Sequence, residues 1–413
     1  MRLLFVHRYF PTQYRHLVTH YASHGHEVVA LGDKLELLHD RPHYQGVKLL
    51  GYDGPTAETV PAKTLAIDSR ARDAVARGYV VAIGAERFRR SGFIPDVVFA
   101  HIGWGEGIFL KDVFPEAKLL LYCEFFYRAR GADVGFDTAE FPVTADSTFH
   151  IRSHNAPFLM ALDASDHGVA PTRWQWSQFP NVYQPQISVI HDGIDTDVVA
   201  PGLGQREEEL VTYVARSLEP HRGFHIFMRA IPEIQRRRPN ARIVIVGGDD
   251  VSYSPRLPDG DTYRARMSRE LEGKIDFSRV TFLGHIPYRD YIALLQKSAV
   301  HVYLTYPFVL SWSLLEAMAA GCLVIGSRTA PVEEVIDDGR NGFLVDFFSP
   351  EAIASKVEEV LSQQKTMQPL RENARRTVIE RYDLKRVCLP AQISLVEQLA
   401  AGKCGRFGSQ TAN

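Results

Sequence analysis

Apolar residues in this chain come in short β-like bursts separated by helix-length amphipathic stretches, and the alternation repeats along its length. Leu3–Val6 is the first burst, followed by a helical pattern over about Tyr14–His24 and a second burst at Val28–Leu31. Lys48–Leu50, a helix over about Leu65–Arg77, Asp96–His101, Lys118–Tyr122 and His167–Ala170 continue the series. The rhythm fails over Phe125–Pro142, where weak periodicity and many turn formers suit either a binding loop or a solvated insertion. Asn181–Pro185 predicts a boundary. Beyond it a second series opens at Ile187–Ile190 and runs through Glu209–Ala215, a helix near Gly223–Gln235, and Ala241–Val246. Val280–Leu283, Ala299–Leu304, Leu323–Ile325 and Gly342–Val345 complete it. Helical pattern then covers about Pro369 to Ala401, broken at Asp383 and Pro390, and Gly405–Asn413 reads as a polar, frayed end.

Strands separated by helix-length segments predict α/β domains with mostly parallel sheets. At 413 residues the chain exceeds what one core usually organises. The expected domains are 1–185 and 186–385, with 386–413 a terminal helix and tail free to pack back on the first. Two such domains in sequence place a ligand cleft between them.

Charge narrows the partners. The 47 Lys and Arg against 49 Asp and Glu leave a net charge of -2, so no global basic field argues for nucleic acid, and an anionic ligand needs only a local cluster. The four cysteines form no CxxC pair, and Cys322 lies in an apolar strand pattern, which fits a buried thiol and a reducing cytosol. The opening MRLLFVHRYFP is too short and polar for a signal peptide, and no 18-residue apolar run follows. Peripheral attachment to the inner face of a membrane stays open. No HExxH or spaced Cys/His group calls for a metal. The absence of GxGxxG, GxxxxGK[ST] and GxSxG weakens dinucleotide redox, P-loop and simple hydrolase readings.

Four segments carry candidate chemistry. Phe308–Val345 predicts a helix bearing Glu316 that stops at Ala320-Gly321, then the strand Cys322–Gly326 and a second acidic helix start at Pro331–Glu334. That order presents a helix N-terminus and backbone amides to a phosphate-bearing ligand. Leu, Ala and Met surround Glu316, so its carboxylate is either buried and hydrogen-bonded, as ribose hydroxyls would allow, or a surface group on a partly exposed helix. In Val214–Gly223, Arg216 and Arg222 follow a strand, where they can fork onto a diphosphate or be ordinary solvated loop residues. Gly247 and Gly248 end another strand, either as a close approach of backbone to ligand or as a simple turn. His101, at a strand end among Gly103, Gly105 and Gly107, can orient a polar ligand, take a proton, or be a satisfied structural histidine.

Taken together, these segments resemble the retaining GT-B glycosyltransferases of family 4, most closely around Ile190–Asp195, Val214–Gly223, Phe282–Ile286 and Glu316–Val345. The resemblance implies two Rossmann-like domains with mostly parallel sheets facing a central cleft. It implies donor diphosphate on Arg216 and Arg222, the second of which is usually lysine, and ribose on Glu316. His101 matches a histidine that contacts the donor sugar and helps place the acceptor. The family's first glutamate would fall at Phe308, and the glycine and aliphatic positions after it are Ser311 and Trp312. Loss of that glutamate puts donor-sugar recognition in question, although amides near Ser311, Trp312 and Ser313 remain to cradle a phosphate. A glycine-rich acceptor loop is replaced by His7–Gln13.

The implied activity is transfer of a sugar, a hexose first among them, from a nucleoside-diphosphate sugar to an acceptor hydroxyl with retention. UDP-sugar is the first donor to expect, and the acceptor is a glycan, lipid-linked or small-molecule hydroxyl in glycan, polysaccharide or glycoconjugate synthesis. No cofactor or divalent cation is required, because arginine supplies the positive charge. A nucleotide-sugar epimerase, a phosphorolytic enzyme on the same fold, and a sugar-nucleotide-binding protein with decayed catalysis are the alternatives.

Overall fold

The computed structural model describes residues 1–39, 44–54 and 69–404. The predicted tail Gly405–Asn413 and residues 65–68 of the predicted helix lie outside them; that helix runs over Ser69–Arg90. Two compact units are present, one formed by Met1–Asp192 with the segment from Cys388 onward, the other by Gly193–Val387.

The first unit is built on seven parallel strands: β1 Arg2–Val6, β2 Glu27–Asp33, β3 Val47–Tyr52, β4 Val97–His101, β5 Lys118–Tyr122, β6 His167–Ala170 and β7 Ile187–Val189. Their order is β3-β2-β1-β4-β5-β6-β7. A parallel sheet covered on both faces needs near-continuous apolar strands, and Leu3–Val6 supplies one. Leu4 and Val6 join one core with Val81, Phe88, Phe158 and Leu162. Leu3 and Phe5 turn to the other, with Leu17, Val18, Leu395 and Val396. The last two belong to the terminal helix Leu389–Ala400, which packs on the first unit. Pro390 does not break that helix. It occupies the first turn, where its missing N–H costs nothing.

Strand β7 departs from expectation. Ile187–Val189 was predicted to open the second domain, yet it pairs in parallel with β6 as the edge of the first sheet. Its alternation says that it is a strand, whereas only the length and direction of the preceding connection decide which sheet it joins. The second unit therefore begins at Gly193.

The second unit carries β8 Leu210–Ser217, β9 Arg242–Gly248, β10 Val280–Phe282, β11 Val300–Tyr303, β12 Leu323–Ser327 and β13 Phe343–Val345. All pairs are parallel, in the order β10-β9-β8-β11-β12-β13. In each sheet the strand order reverses once, between β1 and β4 and between β8 and β11. Ligands of open α/β sheets bind outside the carboxyl ends of strands at such switch points.

Candidate active site

At the second switch point, β8 ends in a bulge between Val214 and Ser217. Arg216 is thrown out to solvent while Ala215 and Ser217 stay buried. The turn Pro220–Arg222 then runs into the helix Phe224–Arg237 through Gly223 at φ 69°. A Cβ there would collide with Leu304 as well as strain the backbone, so only glycine fits. Arg222 is thereby pinned. Its Nη1 donates to Thr305 Oγ1 at 3.1 Å and to the Val309 carbonyl at 2.9 Å, and its guanidinium stands 5.3 Å from the Tyr253 ring centre.

Beneath this turn lies Glu219, fully buried and missed by the sequence reading. Its Oε2 accepts the amides of Ser252, Tyr253 and Ser254 at 3.1, 3.0 and 2.9 Å, and its Oε1 has no partner among the described residues. A buried carboxylate is costly unless hydrogen-bonded, and the three amides meet that cost for Glu219 as Tyr288 and Tyr291 do for Glu316. Gly248 ends β9 where a Cβ would run into the His285 ring. Its need for glycine is thus met by a side chain of the protein itself.

Glu316 is buried on the helix Trp312–Ala319, as its apolar surroundings predicted. Its oxygens already have partners, however: Oε1 accepts from Tyr288 at 2.8 Å and Oε2 from Tyr291 at 2.9 Å. Ribose hydroxyls are not needed to satisfy it, although a carboxylate has about four acceptor sites in all. The proposed phosphate cradle also narrows. The Ser311 amide donates to Tyr303 Oη at 2.9 Å, and the Ser313 amide to Ser311 Oγ at 3.3 Å as a helix cap, so these two amides are committed inward. Trp312 lies half-buried against the core. Phe308 is buried edge-on to Tyr253, with ring centres 4.8 Å apart, and to His221 at 5.9 Å.

The first switch point gathers His7 from the end of β1 and His101 from the end of β4, ring centres 5.0 Å apart. Both are buried, and both have Nδ1 occupied by a backbone N–H: Tyr9 to His7 at 2.9 Å, Gly103 to His101 at 3.0 Å. A neutral imidazole that accepts at Nδ1 carries its proton on Nε2. His101 therefore presents Nε2–H, 3.5 Å from Glu124 Oε2. Burial, and then the neighbouring His101, hold the His7 pKa well below the usual range. The Tyr122 ring stacks on His101 at 5.5 Å, and its hydroxyl meets both oxygens of buried Asp192 at 3.0 Å.

Behind them, Glu106 is fully buried and accepts from Tyr52, while its Oε2 has no hydrogen-bond partner among the described residues. Burial raises its pKa to about 7. Arg77 donates to Asp33 at 2.9 Å and to Tyr52 at 3.3 Å, extending the network. The structure thus groups Arg216, Arg222 and Gly248 around one sheet's carboxyl edge, carries Ser311, Trp312, Ser313 and Glu316 on the next helix, and leaves His101 in the other unit. No group of three or more His, Cys, Asp or Glu suited to a metal occurs among the described residues.

Comparison with known proteins falls along the same division. A model of the glycosyl transferase family 4 group matches residues 24–199, and one of the glycosyl transferases group 1 matches residues 197–377. The chain is a GT-B protein related to these two glycosyltransferase groups. Sucrose-phosphate synthase from Thermosynechococcus elongatus shares the GT-B fold at a TM-score of 0.74 and 15% identity, over 97% of this chain and 100% of that one. HepE of Anabaena, solved with UDP, does so at 0.67 and 14%, over 96% and 100%. Spore coat protein SA of Bacillus subtilis (strain 168) is 26% identical over 228 residues, 51% of this GT-B chain and 58% of the relative. The chain spans about half the length of the curated relatives it matches.

Proposed function

We propose that this chain transfers a sugar from a nucleoside-diphosphate sugar to an acceptor hydroxyl, with retention at the anomeric carbon. The observation that carries the reading is Arg222, a guanidinium held at the second switch point by Thr305 and Val309, on the same strand-end connection as the solvent-exposed Arg216. Two such cations compensate a diphosphate in the ground state and as it leaves. Glu316, held by Tyr288 and Tyr291, would receive the ribose hydroxyls. UDP is the first base to test, since HepE, which shares the fold, was solved with UDP.

In this reading the bond from the anomeric carbon to the diphosphate oxygen breaks, and the bond to the acceptor oxygen forms on the same face. The acceptor proton passes to the departing diphosphate. His101 suits that scheme as a donor. Its Nε2–H can hold an acceptor or sugar oxygen, while its Nδ1 lone pair is taken by Gly103, so it positions rather than deprotonates. Glycan, lipid-linked and small-molecule hydroxyls are the acceptors to screen. A cytosolic setting goes with this reading and with four free cysteines, three of them buried.

Phe308 favours one second reading. Buried against Tyr253 and His221, it puts an aromatic ring where the resemblance leads one to expect a carboxylate. A sugar-nucleotide-binding protein without turnover would tolerate that. Calorimetric titration with UDP, GDP and ADP, followed by product analysis over an acceptor panel, separates the two readings. Selective binding with product supports transfer, binding without product across the panel supports the second reading, and no binding of any diphosphate removes both.

A further inference from the structure

Taking Arg222, as the proposed function does, for the cation that meets the donor diphosphate, we infer that Tyr253 lines the donor site beside it and that Glu219 is the residue that positions Tyr253.

The stretch after β9 is held by something other than regular structure. Residues 249–257 form no helix or strand, so the amides of Ser252, Tyr253 and Ser254 need acceptors from elsewhere in the fold. Glu219 Oε2 takes all three, at 3.1, 3.0 and 2.9 Å. Two side-chain contacts close the same seam. Ser252 Oγ lies 2.8 Å from Ser217 Oγ at the end of β8, and Ser254 Oγ lies 3.0 Å from His221 Nδ1 in the turn that carries Arg222. Ser254 is buried by these contacts, whereas Tyr253 beside it stays 38% exposed.

The Tyr253 ring has a defined place. Its centre is 5.3 Å from the Arg222 guanidinium carbon and 4.8 Å from the ring centre of buried Phe308, which meets it edge-on. Thr305 and Val309 accept from Arg222 Nη1, so the ring is a further restraint on the same guanidinium. A cation–π contact with an aromatic ring fixes a cation without neutralising its charge. An anion that forks onto Arg222 then lies alongside the exposed part of that ring.

Stability does not account for a carboxylate at Glu219. It is fully buried, and its Oε1 has no partner among the described residues; an ionised group so placed is expensive to desolvate. Charge does not recommend it either, since a carboxylate at the head of the turn that holds Arg222 repels a diphosphate. What it supplies is geometry. An ionised acceptor grips backbone N–H groups more strongly than a neutral one, and here it fixes three in succession.

Titration of the intact protein with UDP, alongside Tyr253→Ala, Tyr253→Phe, Glu219→Gln and the double variant Glu219→Gln/Tyr253→Ala, tests this assignment. Tyr253→Ala should weaken UDP about two- to thirtyfold, the span of a cation–π contact, and Tyr253→Phe should bind like the parent because the ring remains. Glu219→Gln keeps the shape and removes the charge. Direct electrostatics alone makes that variant bind UDP more tightly; positioning makes it bind more weakly, by up to the factor of Tyr253→Ala. The double variant should bind no more weakly than Tyr253→Ala, since Glu219 acts through that ring. If Glu219→Gln does not fold, Glu219→Asp, whose charge stops one methylene short of the amides, is read by the same cycle. Tighter UDP binding in Glu219→Gln, losses that multiply in the double variant, or a lower melting temperature with parental affinity overturns the positioning role. Parental affinity in Tyr253→Ala overturns the whole inference while leaving the proposed function standing. A parent that binds none of UDP, GDP and ADP removes both.

Discussion

At the second switch point the working groups are charged and pinned. Arg222 is held by Thr305 and Val309, Glu316 by two tyrosines, and Glu219 by three successive amides. At the first, His7, His101 and Glu106 are buried, near the Arg77–Asp33 ion pair and the Asp192 carboxylate. Burial holds the His7 pKa well below the usual range, His101 accepts the Gly103 amide at Nδ1 and turns Nε2 outward, and burial raises the Glu106 pKa to about 7. Both are carboxyl edges of doubly covered parallel sheets, so the fold does not set the difference; the side chains at the strand ends do. The contrast agrees with the proposed function, in which an anionic ligand would go to the second unit and a hydroxyl-bearing one to the first.

The largest effect that could break this contrast is at His101. His101→Ala should lower turnover about 100- to 1,000-fold, the effect of losing one preorganised hydrogen-bond donor, and leave the UDP affinity unchanged. His101→Gln, which retains an N–H donor, should recover part of the rate. A loss of UDP binding in His101→Ala would erase the division of labour between the units.

Glu106 sharpens the comparison through pH. Its folded pKa is raised above the ordinary glutamate value to about 7 by burial, so the native state holds a proton that the unfolded chain releases. The favourable contribution is complete below about pH 4.5 and is lost as pH rises to 7. Glu106→Gln, which keeps the shape without the charge, should therefore raise stability at pH 8 by on the order of 2–3 kcal/mol and have little effect at pH 4.5. Urea unfolding at the two pH values reads this directly, and a destabilised variant at pH 8 would show that the carboxylate is needed ionised.

Glu316→Ala should weaken UDP binding by about 1–3 kcal/mol. Tyr288→Phe, which removes one donor from the same carboxylate, should cost about 0.5–1.5 kcal/mol. If Tyr288→Phe weakens UDP as much as Glu316→Ala, the tyrosine and not the carboxylate meets the nucleotide.

The βα alternation, both strand-end arginines and the buried helix of Glu316 were legible in the sequence because period and burial are local properties. What was not legible depends on which element lies beside which. Glu316 meets Tyr288 and Tyr291 from another helix, Glu106 meets Tyr52 from a strand 54 residues away, and β7 joins the first sheet through a connection whose direction leaves no mark in composition. The amides of Ser311 and Ser313 were offered to a phosphate because a helix start alone does not show that Tyr303 and a serine cap claim them first. Glu219 is of the same kind. Its burial and its three amide partners both required the fold, since Leu218 and Pro220 beside it in a strand-end connection fix neither.

Titration of the intact protein with UDP, alongside Arg222→Ala and His101→Ala, tests the central claim most directly. The account predicts binding by the parent, a loss of about 2–3 kcal/mol in Arg222→Ala, partial recovery in Arg222→Lys because charge returns without the fork, and parental affinity in His101→Ala. UDP affinity that is indifferent to Arg222, or that falls equally when His101 is removed, contradicts it.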